Sequence, residues 1–92
     1  MKPVWTRAAI RDLTHIREYI AREKSDAARE VALKIIDATD RIIQFPETGR
    51  IGRIKGTRES VVSGTNYLIV YRIKRTAIHF VRILHGRQNW PK

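Results

Sequence analysis

Cysteine is absent from the 92 residues. Neither disulfides nor thiolate metal sites can therefore hold this fold, and a reducing cytosol is compatible with it. The three histidines, His15, His79 and His85, are scattered and have no cysteine beside them. That is no metal-ligand spacing, so neither metal nor cofactor is expected. No apolar run approaches the roughly 20 residues that span a bilayer, and the opening Met1-Lys2-Pro3-Val4-Trp5-Thr6-Arg7 lacks the apolar stretch of a signal peptide. The expectation is a soluble, cytoplasmic protein without a membrane partner. Acidic residues are also scarce: nine Asp and Glu face nineteen Lys and Arg, a formal charge of +10. Such an excess raises self-repulsion and favours acidic partners, among them nucleic acid, a ribosome or an acidic protein. The plainer alternative is a basic surface that only keeps the chain soluble.

A chain of 92 residues is expected to form one domain over its whole length, 1–92, because two cores would each be too small. Its hydrophobic fraction of 42%, with two Trp, three Tyr and two Phe, suffices for a modest core. Pro3-Val4-Trp5 reads as a short extended segment, and Thr6 as the cap of a helix. Ile10, Leu13, Ile16 and Ile20 recur at steps of three and four, which predicts an amphipathic helix to about Arg22. Ser25 and Asp26 start a second helix, carried by Val31, Ile35, Ala38, Ile42 and Phe45 and stopped by Pro46. The short link implies an antiparallel helical hairpin. A loop through Thr57, rich in glycine and charge, is expected to be mobile or ordered by a partner. Strands follow at 58–63, 67–73 and 77–84, separated by turns at 63–66 and 74–76. The predicted fold is α+β, in the order β-α-α-β-β-β. Its helical hairpin packs on a small antiparallel sheet, which the N-terminal strand joins.

Several pieces, each weak alone, occur in an order that resembles the RelE/ParE toxins of bacterial type II toxin–antitoxin systems. They are Trp5 before Ala9-Ile10-Arg11-Asp12-Leu13, then Tyr19-Ile20-Ala21, Phe45-Pro46-x-x-Gly49-Arg50 and Gly56-Thr57-Arg58-Glu59. Tyr67-Leu68-Ile69-Val70-Tyr71-Arg72 and the ending Arg82-Ile83-Leu84-His85-Gly86-Arg87-Gln88-Asn89-Trp90-Pro91 complete the set. The resemblance covers essentially the whole chain. It implies a growth-inhibiting toxin, held inactive by direct binding of an antitoxin encoded beside it. It also implies one of two mechanisms. RelE-like members cut mRNA in the ribosomal A site, whereas ParE-like members poison DNA gyrase without a known catalytic constellation.

Metal-free RNA cleavage must activate a 2′-hydroxyl, stabilise charge on the phosphate and protonate a leaving oxygen. Under the nuclease reading Arg58, Arg82 and Arg87 would surround the phosphate, with His85 the leading acid or base and Glu59 a second candidate. One position departs from that pattern. Many RelE-type nucleases carry an arginine three positions before the tyrosine matching Tyr71, and here that position is Leu68. The preceding strand also lacks the paired lysines of the best-known members. Losing one such electrostatic contact typically costs about 100-fold in rate. The ParE-like branch is apolar at this place and also ends its last strand with Ile-Leu-His. Gyrase inhibition by binding is therefore the leading reading. Ribosome-dependent mRNA cleavage is the alternative, since relatives with this Gly-Thr-Arg-Glu and His-Gly are also grouped with RelE. A non-toxic nucleic-acid-binding module is the third. Arg50, Arg53, Lys55, Arg58, Arg72 and Trp90 are the expected contacts to target or antitoxin. The plain readings stand beside these: His85 as a strand end bonded to a backbone carbonyl, Tyr67, Tyr71 and Phe80 as core, and Trp5 packed on Trp90.

Overall fold

A computed structural model of the chain describes residues 1–86 and 88–91. Strand β1 (Lys2–Trp5) leads into α1 (Arg7–Glu23) and α2 (Asp26–Gln44); β2 (Arg50–Ile51), β3 (Arg58–Val61), β4 (Tyr67–Lys74) and β5 (Ala77–His85) follow. The predicted caps are the observed ones. Thr6 Oγ1 accepts from the Ala9 N–H at 3.1 Å and Ser25 Oγ from the Ala28 N–H at 3.1 Å, each satisfying a donor that the first helical turn leaves open. Thr6 also anchors the helix to the sheet, because its hydroxyl donates to the Val81 carbonyl at 2.9 Å. Lys24, with φ of 49°, turns the chain out of α1, and Pro46 begins a 3-10 turn, Pro46–Thr48, that ends the run of α2.

The helical hairpin packs on a five-stranded sheet of order β1-β5-β4-β3-β2. Three neighbouring pairs, β2–β3, β3–β4 and β4–β5, are antiparallel, but β1 runs parallel to β5, with Trp5 opposite Phe80. The sheet is therefore mixed. It also gains β2, a two-residue strand within the segment read as a loop. A bulge sets Val70 opposite Arg82 but Tyr71 opposite Phe80, so Val81 is the extra residue. That shift lets Ile78, Phe80 and Ile83 all face the helices, where they join Ile69, Tyr71 and Val62 against Ala9, Ile16, Ile35 and Ile42. Tyr71 and Phe80 are wholly buried, each contributing about 1.5–3 kcal/mol through removal from water.

The opposite face of the central strands is also apolar. Leu68, Val70 and Leu84 are buried there, although both helices lie on the other side. Glu59 shares this face as the partner of Val70. It holds Arg53, whose Nη1 donates to the Trp90 carbonyl at 2.9 Å. The C-terminal segment therefore returns to the helix-free face. The pairing expected between the two tryptophans is not formed. Trp5 packs on Phe80 with ring centroids 4.6 Å apart, and Trp90 lies beside Arg82, whose guanidinium carbon is 5.7 Å from the indole centroid.

Candidate functional site

The cationic segment after α2 is organised by one carboxylate. Glu59 is buried, with 1% of its side chain exposed. It accepts from Arg50 Nη2 at 3.1 Å and from the Arg53 backbone N–H at 3.0 Å, and Arg53 Nε lies 3.3 Å away. Burial alone would raise this carboxyl's pKa. The Arg53 N–H and the two guanidinium groups outweigh it and hold the pKa below the ordinary carboxylate value. The loop closes on itself as well: the Gly52 N–H donates to the Thr57 carbonyl at 2.8 Å, and the buried Thr57 hydroxyl donates to the Ile54 carbonyl at 2.6 Å. The segment read as mobile or partner-ordered is thus tied down by the chain's own groups. Glu59, one of the two acid–base candidates, is committed to that task.

Arg58 faces the helices beside Tyr71. Its Nη1 donates to the carbonyls of Gly49 at 2.7 Å and Glu47 at 3.2 Å. Tyr71 reinforces the same turn, donating to the Pro46 carbonyl at 2.7 Å and accepting from the Gly49 N–H at 3.0 Å. A side chain on Gly49 would strike the Tyr71 phenol, which explains glycine at this otherwise unstrained position. Burial raises the pKa of that phenol.

At the far edge β1 has ended, and Asp12 of α1 takes its place against β5. The carboxylate accepts from Arg82 Nε at 2.8 Å, Arg82 Nη2 at 3.0 Å and the Ile83 N–H at 2.9 Å. The Asp12 hydrogen bond raises the Arg82 pKa further. His85 ends β5 and meets Tyr67 edge-on, with centroids 5.5 Å apart, while its backbone N–H donates to Gln88 Oε1 at 2.7 Å. Burial, with Tyr19 adding to it, raises the Tyr67 pKa. Both rings line a cleft of about 550 Å³ that also includes His15, Tyr19 and Asn66.

These positions do not converge. Arg58 stands opposite Tyr71, whereas His85 stands opposite Tyr67 one strand further on. The two are separated by roughly 10 Å across the sheet and roughly 14 Å along it. Arg82 lies at the β5 edge with Asp12, and Arg87 lies outside the described residues. Among the expected contact residues, Arg50 and Arg53 are joined to Glu59, and Arg72 Nη1 reaches the Lys55 carbonyl at 3.4 Å. No cluster of three metal-ligating side chains occurs among the described residues.

The family model described as the ParE toxin of the type II toxin–antitoxin system parDE matches residues 4–90. The chain belongs to that family. It is 41% identical over 88 residues to Y4kP of Sinorhizobium fredii, a candidate toxin by its name, covering 96% of this chain and 91% of that protein. It is 38% identical over 83 residues to toxin RelE2 of Caulobacter vibrioides, covering 90% and 92%. Its fold is similar to the chromosomal ParDE toxin–antitoxin structure from P. aeruginosa, with a TM-score of 0.77, 23% identity and coverage of 92% and 95%. This ParE-family protein is thus the toxin of a type II pair, and its partner is an antitoxin protein.

Two residues that organise this toxin carry no local sign of that role in the sequence. Asp12 lies in a helix start, and its partner Arg82 is 70 residues away. Glu59 reads in the sequence as an acid–base candidate, and in the fold it is the tether of Arg50 and Arg53. Its depressed pKa gives a signed test. The stabilisation it brings is present above the ordinary carboxylate pKa and is lost as pH falls through its lower folded value. Glu59→Gln is expected to cost about 2 kcal/mol at pH 7, with the gap to wild type narrowing by pH 3. Denaturant unfolding at the two pH values measures this. A gap of equal size at both would contradict the role assigned to the ionised carboxylate.

Proposed function

We propose that this toxin arrests growth by binding DNA gyrase in the cytoplasm, not by cutting RNA. The observation that carries the reading is the commitment to the fold of Arg58 and Arg82, the candidate cations among the described residues. Arg82 is paired with Asp12, Arg58 is bonded to two carbonyls, and register sets Arg58 two strands away from His85. A phosphate-clamping site needs donors preorganised around one point, and these two stand on different strands, β3 and β5. Leu68, buried against the middle of the sheet, supplies no cation there either. For the antitoxin, Leu33 and Ile36 lie one helical turn apart on α2, and both are more than half exposed. An amphipathic antitoxin segment that folds on contact suits this apolar strip.

Ribosome-dependent mRNA cleavage is kept as the second reading for one reason: His85 opens onto a cleft with His15 and two tyrosines. Inducing the chain in cells separates the two. Under the gyrase reading DNA-damage signalling precedes translation arrest, and co-expression of the neighbouring antitoxin gene restores growth. Translation arrest preceding any DNA-damage response would overturn it.

A further inference from the structure

Among the described residues, several cations that form no ion pair gather at one end of the sheet. Strand register aligns Lys2, Ala77 and Lys74 in one row across β1, β5 and β4, and Val4, His79 and Arg72 in the next row on the same face. This is the helix-free face, since Ile78 and Phe80 alternate with Ala77 and His79 and point into the core. Arg75, with φ of 57°, forms the turn between β4 and β5. Lys55 joins from the neighbouring loop, its carbonyl accepting from Arg72. The Lys2 N–H donates to the Thr76 carbonyl at 3.0 Å, fastening β1 to that turn. No Asp or Glu occurs in 2–5, 52–57 or 67–85, the segments that build this end. Among the described residues Lys2, Lys55, Arg72, Lys74 and Arg75 have no acidic partner.

We propose that this end of the sheet is a seat for the sugar–phosphate backbone of duplex DNA. Neighbouring strands lie about 4.8 Å apart and same-face rows about 7 Å apart. A duplex carries one negative charge per about 1.7 Å of axis, so a patch of this width spans several phosphates at once. An acidic protein would need apolar or aromatic anchors at the centre of its contact. Here the exposed large apolar residues Ile10, Tyr19, Leu33, Ile36 and Phe45 lie on or beside the helices, Val61 stands opposite Leu68 toward the other end of the sheet, and Met1 and Ile51 adjoin the patch in sequence. Single-stranded nucleic acid would need exposed aromatic platforms for its bases, and the patch has none among the described residues. Two surfaces result, an apolar one on α2 and a cationic one on the sheet. Where gyrase is the target, the DNA it holds is the ligand. Binding of free duplex needs no gyrase, so this proposal and the gyrase reading fail separately.

The test is fluorescence anisotropy of a labelled duplex of arbitrary sequence with the full-length toxin. Five phosphate contacts predict a slope of log affinity on log salt near about −4.5, a loss of roughly 500-fold between 50 and 200 mM. Reversing both Lys74→Glu and Arg75→Glu is expected to weaken binding at least about 10-fold and flatten the slope by about 2. Lys2→Glu with Lys55→Glu, the second variant, should act alike if the turn variant does not fold. Arg17→Glu with Arg29→Glu, the same charge change on exposed helix positions, should leave affinity within about twofold. A salt-independent affinity would overturn the proposal, as would equal losses in helix and sheet variants. So would tighter binding of single-stranded RNA or poly-glutamate to the same residues.

Discussion

Replacing Asp12 with alanine is expected to cost about 3 kcal/mol, roughly 12–24 °C in the melting midpoint of a domain this size. The loss is threefold. Arg82 keeps its charge but loses both guanidinium contacts, the Ile83 N–H loses its acceptor, and α1 keeps only the link at its Thr6 cap among its described polar links to β5. The pair is mostly shielded, with 11% of the Asp12 side chain and 23% of the Arg82 side chain exposed, so water replaces little of what is removed. Arg82→Met should cost a comparable amount, and the double variant less than the sum of the two, because neither then strands the other. Thermal unfolding of the three variants measures this. Asp12→Ala within about 0.5 kcal/mol of wild type would contradict the role assigned to the pair.

Leu68→Arg restores by sequence the cation that the nuclease pattern expects, and it is expected to destabilise without creating a nuclease. Leu68 is 8% exposed and pairs with Leu84. A guanidinium there must lose its hydration or force the strands apart, a cost of about 2–4 kcal/mol even if the long side chain turns its head toward water. The geometry also denies it company. Leu68 points away from the helices, whereas Arg58 and His85 share the helix-facing side with Tyr71 and Tyr67. The sheet itself stands between the new cation and its intended partners. Unfolding measures the stability, and cleavage of ribosome-bound mRNA measures the activity. A stable variant that gained cleavage would contradict this account of the sheet faces.

What was legible in the sequence was local. Thr6 and Ser25 cap the helices, Pro46 stops the second, and the change to a period of two announces β3, β4 and β5 where they occur. What was not legible depends on pairing across the chain. Four residues of β1 carry no sign that they will lie parallel to β5, because a short strand's partner is chosen by where the helical hairpin returns it. The two residues of β2 are too few to show any period. Arg50, Arg53, Lys55, Arg58 and Arg72 read alike as a basic segment. Only the fold separates Arg50 and Arg53, tied to Glu59, and Arg58, turned onto the helix-facing side, from Lys55 and Arg72, which stand with Lys2, Lys74 and Arg75. The tryptophans failed as a pair for a similar reason: β1 delivers Trp5 to the helix side of the sheet, and Arg53 holds Trp90 on the other.

The central claim, that this toxin acts by binding and not by proton transfer at His85, is tested most directly with purified wild-type and His85→Ala protein. Both are assayed for inhibition of gyrase supercoiling and for cleavage of mRNA on programmed ribosomes. The account predicts that both proteins inhibit supercoiling to a similar extent and that neither cleaves mRNA. Wild-type cleavage that falls about 100-fold or more in His85→Ala, with supercoiling untouched by either protein, would contradict it.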